Sequence, residues 1–126
     1  IFKDNKYFGS GIKTYRFEFK NKKYEKIDSI EKDVRCNTHP HNIYFEVLSE
    51  TGLIGFSFFV LFILNVFIKL SKKVFFSKNF IPQTIFVSFF IMFWPIQTTG
   101  AFFSTWSGVF YWITLAFSYH YTLQRD

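Results

Sequence analysis

Hydrophobic and polar positions segregate sharply along this chain. From Gly52 to Ile68 it reads GLIGFSFFVLFILNVFI, with no formal charge, and the apolar character reaches back through Ile43–Leu48. Two further apolar runs follow: FIPQTIFVSFFIMFWPI over Phe80–Ile96, and the more polar, aromatic-rich WSGVFYWITLAFSYHYTL over Trp106–Leu123. A helix rises about 1.5 Å per residue and a hydrocarbon core is about 30 Å thick, so the first run with its preceding turn can span one. The pattern predicts an all-α membrane protein, with a polar segment over 1–41 and a loop–helix junction plus about three transmembrane helices over 42–126. The helices are expected near 43–68, 80–96 and 106–123. Pro82 falls in the first turn of the second helix, where a missing N–H costs little, and Pro95 ends it.

The connections suggest an orientation. Lys69–Lys78 carries four lysines and no acid, whereas the 97–105 loop, QTTGAFFST, carries no charge. The positive-inside rule puts the lysines in the cytoplasm and the 97–105 loop outside. Residues 1–41 are then outside as well. Their ten Lys/Arg and six Asp/Glu are interleaved, and close to Ile43 the basic Lys32 and Arg35 are balanced by Glu31 and Asp33. Gly9-Ser10-Gly11 predicts a turn, residues 15–26 an irregular loop or short helix, and Asp28–Val34 a helical turn or two.

Composition adds two bounds. The formal net charge is +6, which raises nucleic acid as a partner, but no nucleic-acid motif accompanies the lysines and that class is set aside. The single cysteine, Cys36, cannot form a disulfide within these 126 residues. The chain lacks an initiator Met, its first residues look like the middle of a loop, and it reads as a fragment of something longer.

The candidate chemistry lies in THPHNIYFEVLSETGLIGF, residues 38–56. On one continuous helix, Asn42, Glu46, Ser49, Glu50, Leu53 and Ser57 would share a face roughly 120° wide. Such a seam predicts a helix lining a wet cavity, because a lipid-facing helix has no use for two carboxylates. Thr38 or Asn42 can cap the helix and Pro40 suits its first turn, which puts His41 at the helix start. The partial positive charge there disfavours imidazolium, and a neutral ring can take a proton from a hydroxyl. A structural histidine beside a cap and interfacial, solvated glutamates are the plainer alternatives. A zinc site from His39, His41, Glu46 and Glu50 is weakly supported, since no Cys or Asp cluster joins them. Gly52-x-x-Gly55 predicts close helix packing.

His41-Asn42, nine residues, then Gly52-x-x-Gly55 resembles the signature of the O-antigen ligase and O-antigen polymerase superfamily. Upstream, Tyr7-Phe8-Gly9-Ser10-Gly11-Ile12-Lys13-Thr14-Tyr15 is similar to the turn that opens the family's large periplasmic loop. Downstream, Trp94-Pro95, Phe102-Phe103 and Trp112 are similar to its last spans. The resemblance implies a multi-pass glycosyltransferase of the bacterial inner membrane, its active-site loop facing the periplasm. The donor is a glycan on undecaprenyl pyrophosphate; the acceptor is lipid A–core, another glycan unit or, in some branches, protein. Neither metal nor nucleotide cofactor is implied, and membrane lipids are the surrounding partners. His41 would activate the acceptor hydroxyl, and Asn42, Gly52 and Gly55 would shape the junction. Asn42, Glu46 and Glu50 are also candidate substrate-binding residues. Arg16 and Arg35 are candidates for the pyrophosphate, whose departure needs fixed positive charge; Arg125 is expected on the wrong side. The rival class is a non-enzymatic membrane protein, such as a transporter fragment using the Asn42–Ser57 seam as a proton path. Against it, FFVLFIL interrupts the seam beyond Ser57.

Overall fold

The computed structural model describes residues 2, 4–18, 40–77 and 80–124, the side chain of Arg16 excepted. The regular elements are α1 (Tyr15–Glu18), α2 (Ile43–Phe76), α3 (Phe80–Met92) and α4 (Ser107–Leu123), with no strand among the described residues. The three long helices run up, down and up, each packed on the other two, and α1 rests on α2. The mouth of the hairpins, holding the start of α2, the end of α3 and the start of α4, carries His41, Asn42 and Glu46.

The expected helices are present, with shifted ends. α2 runs eight residues past Ile68, so Lys69, Lys72 and Lys73 lie on its last turns instead of in a loop. Lysine is a good helix former, and its charge suits a helix C-terminus. Lys73 donates from Nζ to the Gln124 carbonyl and lies 4.9 Å from the Tyr121 ring centre, joining the far ends of α2 and α4. α3 stops at Met92, short of Ile96. The residue before a proline is driven out of the helical region, so Trp94-Pro95 ends the helix early. Gln97 Nε2 then donates to the Met92 carbonyl at 3.0 Å, satisfying an end the helix leaves open.

The core is aliphatic on α2 and mostly aromatic elsewhere. Ile43, Val47, Ile63, Val66 and Leu70 meet Phe89, Phe93, Tyr111 and Leu115, with Phe102 of the 93–106 loop inserted among them. The Phe102 ring centre lies 5.4 Å from Phe59, 5.7 Å from Tyr111 and 4.9 Å from Trp112. Aromatic pairs at such separations add about 0.5–1.5 kcal/mol each beyond area burial.

Outside that core the helices are oily. Phe58, Leu61, Ile68, Ile81, Ile91, Phe110 and Phe117 are all more than half exposed. From Leu53 to Phe76, α2 is about 36 Å long by helical rise. It is long and apolar enough to cross a membrane, and little of its most apolar stretch is buried within the fold. A surface this apolar is stable against lipid or further helices and costly against water.

Candidate functional site

α2 is two helices joined at a break. Gly52 has φ 68° and ψ −170°, outside any helical geometry. The break removes the hydrogen bonds that Leu53 and Ile54 N–H would make to the Ser49 and Glu50 carbonyls, four residues back. The segment Lys6–Gly11 fills the gap. Ser10 N–H donates to the Ser49 carbonyl at 3.1 Å and Gly11 N–H to that of Glu50 at 2.9 Å. In return, Leu53 N–H donates to the Lys6 carbonyl at 2.8 Å and Ile54 N–H to that of Tyr7 at 3.2 Å. Buried backbone groups must be paired, and here an inserted segment pairs all four.

Glycine permits the approach from both sides. Gly9, with φ 71°, passes so close that a Cβ would sit 2.3 Å from the Glu50 carbonyl carbon. A Cβ on Gly52 would sit 2.4 Å from the Tyr7 carbonyl. The turn expected at Gly9–Gly11 is therefore present, and it docks on the other glycine motif. The sequence reading of Gly52-x-x-Gly55 as a helix-packing surface is corrected: Gly52 serves a break, and the backbone it admits is Tyr7–Gly9.

The break also corrects the continuous polar seam. Above Gly52, Glu46, Ser49 and Glu50 are buried; below it, Leu53 and Ser57 are exposed, with Ser57 Oγ donating back to the Leu53 carbonyl. The carboxylates do not line a wet path. Glu50 accepts from the N–H of Lys13 at 2.7 Å and of Tyr15 at 3.4 Å, and so holds Lys13 at φ 62° and the start of α1. Burial pushes the Tyr15 phenol above its ordinary value. Glu46 points to the other flank, accepting from the N–H of Phe102 at 2.7 Å and of Phe103 at 3.4 Å. Charge-assisted bonds of this kind offset the cost of burying a carboxylate.

Asn42 is the N-cap of α2: its Oδ1 accepts from the N–H of Tyr44 at 2.9 Å and of Phe45 at 3.3 Å. Its Nδ2 donates across the mouth to the carbonyls of Pro95 at 2.8 Å and Gln97 at 3.4 Å. Pro40 therefore lies before the cap and outside the first turn where it was expected, and His41 stands immediately before the N-cap. The His41 carbonyl accepts from Thr99 N–H at 2.8 Å, while its side chain is exposed. Tyr44 Oη closes the same mouth by donating to the Phe93 carbonyl at 2.7 Å.

The structure thus gathers His41, Asn42, Glu46, Glu50 and Gly52 at one loop–helix junction, with Gly55 a turn below. Arg35, His39, Thr38, Cys36, Arg125 and the 28–34 helical turn lie outside the described residues, as does the side chain of Arg16, which is carried on α1. Among the described residues, no three His, Cys, Asp or Glu side chains are grouped closely enough to hold a metal ion. Phe102-Phe103 entered the sequence reading only as similar to the family's last spans, and Thr99 only within the 97–105 loop; none was named as a site residue, because they act through backbone N–H groups that nearly any residue type supplies. The one available signal was the absence of charge in the 97–105 loop.

These features define an all-helical segment with one helix fit to cross a membrane and an exposed histidine at a tightly tied helix mouth. Residues 1–60 match the family model described as O-antigen ligase. That match supports an O-antigen ligase family segment, and it contains both glycine motifs and His41-Asn42. No curated protein and no solved structure matches the chain.

Proposed function

We propose that this chain is part of a membrane glycosyltransferase of the O-antigen ligase or polymerase type, moving a glycan from an undecaprenyl-pyrophosphate donor to an acceptor hydroxyl. What supports this most is His41: exposed, directly before the N-cap, held by its own carbonyl, and inside the region that matches the O-antigen ligase family. In the reaction, His41 takes the proton of the acceptor hydroxyl as its oxygen bonds to the anomeric carbon. The bond from that carbon to the pyrophosphate oxygen breaks, and the pyrophosphate leaves as an anion stabilised by guanidinium groups, for which Arg16 and Arg35 are the candidates. The acceptor is lipid A–core or a further glycan unit.

The apolar outer faces and the length of α2 support a site at a membrane surface. Lys69, Lys72 and Lys73 gather at the end of α2 remote from His41, so the positive-inside rule puts the histidine in the periplasm, at the inner membrane.

The test is His41→Ala in the full-length protein. General bases contribute about 10²–10⁴-fold, so transfer should fall by at least about 100-fold while the protein still inserts in the membrane. Normal transfer by an inserted variant refutes the assignment.

A further inference from the structure

We infer that Asn42 and Glu46 are positioning residues for His41, acting through the 95–103 loop and not through substrate; the inference rests on the proposed role of His41. The loop is pinned at both ends to the start of α2. Asn42 Nδ2 holds the carbonyls of Pro95 and Gln97, and the Glu46 carboxylate holds the N–H groups of Phe102 and Phe103. Between those pins, Thr99 N–H holds the His41 carbonyl at 2.8 Å. The path is closed: His41 is covalently joined to Asn42, Asn42 and Glu46 lie one helical turn apart, and both return to His41 through the loop. A backbone held at the His41 carbonyl and again at Asn42, directly after the carbon that bears the imidazole, limits where the ring can swing. Glu46 is 3% exposed, with each oxygen on a backbone N–H, and Ile43, Val47 and Phe102 are buried around it. Substrate would have to displace those bonds to reach its carboxylate. The Asn42 amide is committed at both of its polar atoms.

Two conservative substitutions cut the pins and leave the helix cap and the packing in place. Asn42→Asp keeps the oxygen that caps α2 and removes the N–H donor to the loop. Glu46→Gln keeps the shape and replaces one acceptor with a donor that faces a donor. Each is expected to lower kcat by roughly 10- to 100-fold, the cost of misplacing a reacting group by about 1 Å, with KM for donor and acceptor within about 2-fold of wild type.

The decisive measurement is the double variant in the full-length membrane enzyme, with rates normalised to inserted protein. Two pins on one loop act as a unit, so the double variant should be within about 3-fold of the slower single variant. Losses that multiply, or a rise in KM at constant kcat, would mean direct substrate contact and overturn the inference. A lower melting midpoint in detergent with kcat preserved would mean a purely structural role and overturn it equally. Should Glu46→Gln fail to accumulate, Asn42→Asp with Thr99→Pro, which deletes the N–H on the His41 carbonyl, gives the same cycle. His41→Ala separates the two levels. If it transfers normally, the catalytic reading fails; if it is inactive while both pin variants keep wild-type kcat, only the positioning inference fails.

Discussion

Glu46 and Glu50 lie one turn apart on the same helix, are equally buried at 3% exposure, and each accepts from two backbone N–H groups. Their surroundings nevertheless separate them. Glu46 reaches the loop between α3 and α4, whose Thr99 returns to the His41 carbonyl. Glu50 reaches the opposite way, to Lys13 and α1, and its own carbonyl accepts from Gly11 at the helix break. One carboxylate is bound to the candidate chemistry; the other is bound to the joint between the N-terminal segment and the apolar helix. Equal burial and identical bonding do not imply equal function: what each carboxylate holds decides it.

The largest expected effect lies at the joint. Gly52→Ala or Gly9→Ala would place a Cβ 2.4 or 2.3 Å from facing backbone, at a φ that L side chains rarely adopt. A left-handed non-glycine residue alone costs about 1–3 kcal/mol, and backbone on both sides cannot retreat as a flexible side chain would. Either variant should undock residues 6–13 from α2 at a cost of at least about 3 kcal/mol. Limited proteolysis of the membrane-embedded protein should then cut within 6–18 well before the wild type is touched. Wild-type resistance in both variants would show that the inserted segment does not depend on these glycines.

Glu50→Gln comes next and bears directly on the comparison. It leaves one of two N–H groups facing a donor, a loss of about 1–3 kcal/mol. The damage should be confined to Lys13 and the start of α1, read as faster amide exchange at those residues. Per molecule of inserted protein, glycan transfer should keep a kcat far closer to wild type than Glu46→Gln does. Equal losses of kcat from the two substitutions would erase the distinction drawn between the two carboxylates.

Much of this arrangement was legible in the sequence, and the omissions have a common cause. The three apolar runs, the turn at Gly9–Gly11, Asn42 as a cap and Pro82 in a first turn follow from residue type, and the structure carries each. Two inferences from helical periodicity failed together. The polar seam from Asn42 to Ser57 assumed one continuous helix, and Gly52-x-x-Gly55 was read within that same helix. A glycine at φ 68° ends the periodicity, and nothing within α2 signals it, because the group that stabilises the break is the backbone of residues 6–11, more than forty residues earlier. The loop N–H groups that hold Glu46 and the His41 carbonyl were invisible for the same reason. Backbone donors are common to nearly every residue type, so only tertiary structure reveals which ones meet.

The smallest expected effect is the sharpest control. Tyr44 Oη donates to the Phe93 carbonyl, so it ties the start of α2 to the end of α3 across the same mouth as Asn42, but it is not connected to Thr99 or the His41 carbonyl. Tyr44→Phe deletes this one bond and keeps the ring, which packs edge-on to Phe59 at 5.8 Å. A hydrogen bond of this kind contributes about 1 kcal/mol net, so the melting midpoint in detergent should fall by a few degrees at most. If the mouth works as a set of separate ties, kcat should stay within about 2-fold of wild type, because the loop that holds His41 keeps its own pins. A kcat loss matching that of Glu46→Gln would mean that loosening the mouth anywhere disturbs the histidine. Rigidity of the whole junction, and not the single path through Asn42, Glu46 and Thr99, would then be what sets the imidazole.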